Sequence, residues 1–570
     1  MIGTSSSDKH YDTVVVGSGL GGLSTAAFLA TNGQKVLVLE QNQVVGGCSQ
    51  VFRRKGNKFE FDVGVHYIGE CEPGGKVRTL MGALGIDDRI EWCRLDPDGF
   101  SVITTPEVSF RVPAGWDAYA RRLEETFPDE AANVRAVVST LRQVATEMKR
   151  DTPRGPLGGV RKNLSSPSLL RWGLRPLATL FDKYQLSQVA RTVIAGECGD
   201  YSAPPSKATV GVHAGFLDHY LISGAWYPHG GGQVIPARLV EVIQAHGGEV
   251  RTKTLVDRIM IEKGRAVGVT LLDGTEIRAE AVVSNADPQR TYLGLVGREH
   301  LPKPLLRKAE NWTPALPLVT VYLALDVDVR DLLSNATQWI YPHSDLEAFY
   351  TEAYEGRIGE QVPVFMTSGT LKDPTSTHTA PAGFSTLELV TIAPPQYYAW
   401  SLRAGGPHAG EKYSRHPEYL ELKERITQAV IDTACLVVPD LREHLVHVEA
   451  STPITQERFT LATHGTVYGL EMTWDQIGPF RPDVTSPVPG LFLAGAGTKH
   501  MHGIVSTLNG GAGTAGAVLG RDLFAEMADG RRYGRPEVLP VDGPDWDPLV
   551  VSKPGSVVRR DTRPDRHPVR

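Results

Sequence analysis

The chain has 570 residues, more than one hydrophobic core ordinarily holds, so several domains or one domain with large insertions are expected. Its 41% hydrophobic and 22% charged residues belong to the globular class, and a net charge of −6 excludes a general attraction to nucleic acid. The five cysteines (Cys48, Cys71, Cys93, Cys198 and Cys435) are too scattered for a disulfide framework or a metal-ligand spacing; no metal is expected, and a reducing compartment fits.

The first residues, MIGTSSSDKHYD, carry no basic and apolar leader, and no apolar run approaches the roughly 18 residues of a spanning helix. A cytoplasmic protein, soluble or peripheral on a membrane, is therefore expected. Residues 12–16 (DTVVV) read as a buried parallel strand, residues 21–31 as a helix stopped by Asn32-Gly33, and residues 35–39 (KVLVL) as a second strand. Between strand and helix stands Gly17-Ser18-Gly19-Leu20-Gly21-Gly22. Its glycines let backbone approach a pyrophosphate, whose charge the helix N-terminus favours. Glu40 ends the second strand at the spacing of a carboxylate that binds ribose hydroxyls. Strand, glycines, helix, strand and acid in register define a dinucleotide site, for which NAD and FAD both remain open.

Residues 59–67 (FEFDVGVHY) read as a buried strand that carries an acid, a histidine and a phenol where Val or Ile would pack better. Residues 115–150 and 415–435 read as amphipathic helices. Residues 249–283 read as short strands with turns at Lys263-Gly264 and Asp273-Gly274. Residues 490–525 return to strand, glycine-rich loop and helix, and residues 531–570 read as an extended or disordered tail. In residues 157–181, Arg161, Lys162, Arg171 and Arg175 interleave with leucines and Trp172. This stretch is either a membrane-surface contact or an amphipathic cap over a substrate cavity.

Gly46-Gly47, in Val44-Val45-Gly46-Gly47-Cys48-Ser49, resembles the second glycine pair of the large FAD-dependent group that includes amine oxidases and carotenoid desaturases. Tyr227-Pro228-His229-Gly230-Gly231-Gly232, Val256-Asp257-Arg258-Ile259, Ser284-Asn285-Ala286-Asp287-Pro288 and the C-terminal Pro489–Thr498 run extend that resemblance over residues 10 to 525. Within the group, residues 61–69 look most like retinol saturases, with carotenoid isomerases and phytoene desaturases sharing the Asp-x-Gly. The resemblance implies an α/β protein: a Rossmann-like FAD-binding domain of the amine oxidase/desaturase type (about 1–100, 225–300 and 480–530) with an inserted α+β substrate domain (101–224 and 301–479). It implies FAD held by Gly17, Ser18, Gly19, Leu20, Gly21, Gly22, Glu40, Gln41, Gly46, Gly47, Cys48, Ser49, Val256, Ala286, Gly495, Gly503, Ile504 and Val505.

The implied chemistry is redox at carbon–carbon double bonds of an apolar polyene or isoprenoid: saturation, desaturation or isomerisation, with saturation preferred because of His66-Tyr67. His66 is the first candidate for proton transfer and Tyr67 the next, with Asp62 ordering its own loop. Lys499-His500-Met501-His502 departs from the desaturase pattern, and His502 offers another proton donor. Cys48 replaces a basic residue and reads as a small packing residue. The alternatives are a flavin amine oxidase and a non-catalytic lipid carrier of the GDP-dissociation-inhibitor type. No second glycine-rich unit follows a clear strand, so no NAD(P)H domain is expected; nothing in the sequence specifies the electron donor or acceptor or the oligomeric state.

Overall fold

The computed structural model describes residues 10–150, 165–402, 406–407, 410 and 412–554. The strand Tyr11–Val16 lies at the centre of the first sheet, flanked in parallel by Val36–Leu39 on one side and Glu276–Ser284 on the other. Glu249–Arg251 extends the parallel run beyond Val36–Leu39, and Leu491–Leu493 joins along Glu276–Ser284. An antiparallel meander, Val256–Glu262, Arg265–Leu271 and Glu276–Ser284, completes it. Its first turn has positive φ at both Lys263 and Gly264 (49° and 76°), the twist that a two-residue hairpin requires.

The helix Leu20–Thr31 covers this sheet and packs on the helix Ile504–Leu519. The two touch backbone to backbone: a Cβ added at Gly511 would meet Ser24 Cβ at 2.5 Å and the Gly21 carbonyl at 2.7 Å. Small residues there bring the N-terminal and C-terminal glycine loops to one place. The second, mixed sheet runs in the order Leu445–Ser451, Leu318–Leu325, Ser385–Ile392, Val364–Thr367, Thr337–Ile340, Ser101–Thr104 and Ser109–Val112. All neighbours are antiparallel except Thr337–Ile340 with Ser101–Thr104, which are parallel. The helices Trp116–Thr126, Ala131–Met148 and Pro417–Ala434 occupy the segments read as amphipathic.

Two expectations are corrected. The strand that begins at Phe59 ends at Asp62, its last ladder partner being Val51, so His66 and Tyr67 stand on a loop. The Asp62 carboxylate accepts from the Gly232 N–H at 3.0 Å and from the Tyr227 hydroxyl, which turns the chain out of the ladder. Residues 531–554 are not a loose tail. Arg53 forks onto Asp547 at 2.6 and 2.9 Å, and Arg238 forks onto Asp542 at 2.8 and 2.7 Å while stacking over Trp546. Gln233 Nε2 donates to Ser552 Oγ at 2.8 Å, and the Val45 N–H to the Ser552 carbonyl at 3.0 Å. The aspartates that made this stretch look unstructured are the partners of arginines far away in sequence. Residues 555–570 lie outside the described residues.

Asp547→Ala leaves a largely buried guanidinium with Glu60 alone. It is expected to lower stability by about 1.5–3 kcal/mol, the worth of hydrogen bonds to a charged group, measured as a fall in midpoint by chemical denaturation. An unchanged midpoint would show that this docking is dispensable.

Candidate active site

A single cavity of about 1310 Å³ runs from the glycine loops of the first sheet to the second sheet. That exceeds the roughly 300–1,000 Å³ of one small-ligand pocket, so it has room for a dinucleotide and a second molecule. Every position implied for FAD lines it except Gly22. Gly22 instead packs on the Gly17 carbonyl, where a side chain would collide.

The residues present fit FAD. Two helices aim their N-termini into the cavity, Leu20–Thr31 from Gly19 and Ile504–Leu519 from Gly503, and neither has a side-chain cap. Their first amides are left for an anionic or polar ligand. Around the first, the glycine cradle closes on Asn285: an added Cβ would meet its side chain at 2.6 Å from Gly19 and 2.5 Å from Gly495. The Asn285 Oδ1 is buried without a hydrogen-bond partner. Asn285 was not among the implied contacts, although it stands inside the quoted Ser284–Pro288 motif. Glu40 organises the loop from below: Oε2 accepts from the Ser18 N–H at 3.0 Å and its hydroxyl at 2.6 Å, and Oε1 from the Asn42 N–H at 2.8 Å. A carboxylate has about four acceptor sites, so capacity for a ribose hydroxyl remains. Gln41 and Asn42 donate to the Phe459 carbonyl at 2.7 and 2.9 Å, which brings residues 456–462 over this end; no local motif marked that segment. Cys48 lines the wall, its thiol pushed up to about 11 by burial, as suits an inert packing residue.

At the other end the three candidate proton-transfer residues come together on the same cavity. The Tyr67 hydroxyl donates a hydrogen bond to Asp200 Oδ2, and His502 Nε2 lies 2.9 Å from the Asp200 carbonyl. Asp200, which sequence reasoning missed, therefore joins Tyr67 to the loop that starts the Ile504–Leu519 helix. It sits in the short helical turn Cys198–Tyr201, far from any glycine motif. Burial raises the Asp200 carboxyl to about 7 and holds the Tyr67 phenol well above its ordinary range.

His66 is in a different electrostatic position. Its Nδ1 is buried with no partner, and its carbonyl accepts from Lys372 Nζ at 2.8 Å. Burial and then the Lys372 charge lower the imidazole to about 3. Burial and then Arg481 do the same to His502, also to about 3. Both rings are neutral near pH 7. Lys372 itself is buried between Asp62 and Glu388, whose charges partly compensate the cost of burying the ammonium. Tyr67 packs against Tyr220 (ring centroids 4.6 Å apart) and Phe365 (6.0 Å), and Tyr468 lies 4.7 Å from His502.

From this aromatic end the cavity continues past Phe216 and Val212 to Leu169, Leu170, Leu174 and Met148. Leu170 is 61%, Leu174 52% and Met148 39% exposed, so the cavity reaches the surface at an apolar rim. Trp172 does not belong to that surface. It is buried, with Arg171, Arg175 and Lys183 placed over its ring at 5.1–5.4 Å. Arg161 and Lys162 lie outside the described residues.

A two-helix anion cradle with a carboxylate at its edge, opening into an aromatic pocket, fits a nucleotide-dependent oxidoreductase of the flavin type. Residues 20–378, more than half of the chain, match the flavin containing amine oxidoreductase family, and the chain belongs to it. FAD is its cofactor and it is an FAD-dependent oxidoreductase. It is 28% identical over 547 residues to an all-trans-retinol 13,14-reductase of Danio rerio, spanning 91% of this chain and 87% of that one. A prolycopene isomerase of an Oncidium hybrid cultivar is 26% identical over 549 residues, spanning 91% and 86%. Among solved structures, an oxidoreductase from Methanosarcina mazei shares the fold with a TM-score of 0.59 at 18% identity, covering 89% of this chain and all of that one.

Proposed function

We propose that the protein saturates a carbon–carbon double bond of a long apolar polyene, with Tyr67 as the proton donor and Asp200 as its reservoir. The observation that carries this reading is the Tyr67–Asp200 pair, which can hold a proton near neutral pH at the aromatic wall of the cavity. Saturation adds a hydride and a proton across the double bond. Bound FAD supplies the two-electron chemistry. Gly17–Gly21 and the two helix N-termini would hold its charged and polar groups, and Glu40 its ribose. Tyr67 keeps a hydroxyl proton at the pocket wall and Asp200 replaces it after transfer. His66 and His502, neutral and without a carboxylate on the ring, shape the wall and exclude water. The donor role expected first for His66 thus passes to Tyr67. A histidine acid needs a partner that keeps its second proton, and here the nearest charge is a lysine.

The retinol reductase and prolycopene isomerase relatives support an isoprenoid substrate. Dithionite-reduced holoprotein incubated without oxygen with all-trans-retinol or prolycopene tests the reading. A product two hydrogens heavier by mass spectrometry supports it. A product of unchanged mass and altered geometry would replace saturation by isomerisation. Peroxide release from primary amines in air, with both polyenes untouched, would replace it by amine oxidation.

We also propose that the rim around Leu170 and Leu174 rests on a membrane surface, from which such a substrate enters; no helix among the described residues is long and apolar enough to cross a membrane. Arg171 and Arg175, next in sequence to Leu170 and Leu174, are exposed, as is Lys183. Replacing all three by Ala is expected to weaken sedimentation with anionic vesicles by about 1 kcal/mol per charge at low salt. Sedimentation equal to the parent at every salt concentration would remove the rim from this role.

A further inference from the structure

We propose that Cys93, His229 and Asp373 form a binding site for a divalent metal of the zinc type, separate from the FAD cavity. The three residues come from three distant segments. Cys93 lies in the strand Trp92–Arg94, opposite Tyr227 of the strand Trp226–Pro228. His229 follows that second strand directly, and Asp373 follows the short helix Gly369–Lys372. One sulfur, one ring nitrogen and one carboxylate oxygen lie within 4.8 Å of one another, and His229 Nδ1 is already 3.1 Å from Asp373. Tetrahedral zinc, with bonds of about 2.3 Å to sulfur and 2.0–2.2 Å to nitrogen and oxygen, holds its donors roughly 3.3–3.8 Å apart. The imidazole, whose side chain is 39% exposed, has room to turn toward that spacing. The mixed sulfur, nitrogen and oxygen set suits zinc better than calcium or magnesium, which take oxygen alone.

The anchor of the set is preorganised. The Asp373 side chain has no exposed surface. It accepts from the Gly230 N–H at 2.8 Å and from the Thr375 hydroxyl at 3.0 Å, which fixes where its remaining lone pairs point. None of the three residues lines the FAD cavity. Two of the three segments lie behind its wall: Gly232 donates to Asp62, four residues before His66, and Lys372 donates to the carbonyl of His66, which lines it. A metal here would clamp the wall that carries His66 and Tyr67.

The test uses the FAD holoprotein, stripped with a chelator, dialysed against Zn(II) and then against metal-free buffer. Retention of an equimolar amount of zinc is expected, with an X-ray absorption spectrum showing one sulfur at about 2.3 Å in a shell otherwise of nitrogen and oxygen. Cys93→Ser and His229→Gln should each lower retention at least about 10-fold, while Cys435→Ser leaves it unchanged. If either variant fails to fold, the shell of the wild-type protein still decides. Zinc lost on dialysis, a shell without sulfur, or equal retention by Cys93→Ser would overturn the proposal.

Discussion

Gly19→Val is expected to give a folded protein that has lost its yellow colour. The backbone at Gly19 has φ −59° and ψ 163°, a conformation that a β-branched residue adopts without strain. The nearest atom to an added Cβ is the Asn285 amide nitrogen at 2.6 Å, the end of a side chain that can turn away. The apoprotein therefore has a way to accommodate valine. The cofactor does not, because both added methyl groups stand at the mouth of the Leu20–Thr31 helix, where backbone and pyrophosphate must meet. Gly17→Val is a different experiment, since its φ of +90° would strain the fold itself. Glu40→Ala removes one ribose acceptor and loosens the Ser18 loop, and is expected to weaken FAD retention by about 1.5–3 kcal/mol without abolishing it. Flavin absorbance after gel filtration, with circular dichroism as the folding control, checks both. A folded Gly19→Val protein with full flavin content would show that the N-terminal loop does not hold the cofactor.

The cofactor half of the site was legible because its geometry is written in short, contiguous motifs. Gly17–Gly22, Glu40, Gly46-Gly47 and Gly503–Val505 each need particular backbone freedom or a charge at fixed spacing, and such requirements show in a single sequence. Asn285 was visible only as part of a motif, since nothing local says that five glycines close on its amide. Asp200 and Lys372 were not legible. Each is tied to a candidate residue by a contact at a separation of 133 or 306 residues, Asp200 to Tyr67 and Lys372 to His66, and neither stands in a distinctive local pattern. The misread of residues 63–67 has a related cause. The alternation of apolar residues continues past Asp62, but the ladder partner does not, and a partner strand is a property of the fold. Residues 531–554 failed in the opposite sense. Their composition is that of a solvated segment, while arginines at positions 53 and 238 pair with its aspartates and Tyr533, Leu539 and Leu549 are buried against distant parts of the chain.

Turnover of the polyene should fall by about 10²–10⁴-fold in Tyr67→Phe, the usual contribution of a positioned acid, while FAD content and bleaching by dithionite stay normal. The substitution deletes one oxygen and keeps the ring against Tyr220 and Phe365, so the pocket shape is preserved. His66→Phe, which fills a similar volume beside Phe365, should cost less, because the imidazole is already neutral and has no second proton to give. The pH profile separates a proton donor from a merely structural hydroxyl. Burial raises the Asp200 carboxyl to about 7, so the Tyr67–Asp200 pair carries its extra proton below that pH and loses it above. The sign follows: turnover at saturating polyene should be highest on the acid side and fall as pH rises through about 7. Asp200→Asn, which holds the same position without titrating, should remove that limb and leave a low, pH-independent rate. Stability should move the same way, because a carboxyl whose pKa is raised on folding opposes the folded state once it ionises. Full turnover in Tyr67→Phe, or an alkaline limb that survives Asp200→Asn, would sink the assignment. A larger loss in His66→Phe than in Tyr67→Phe would return the donor role to the imidazole and require bound substrate or cofactor to shift it upward from about 3.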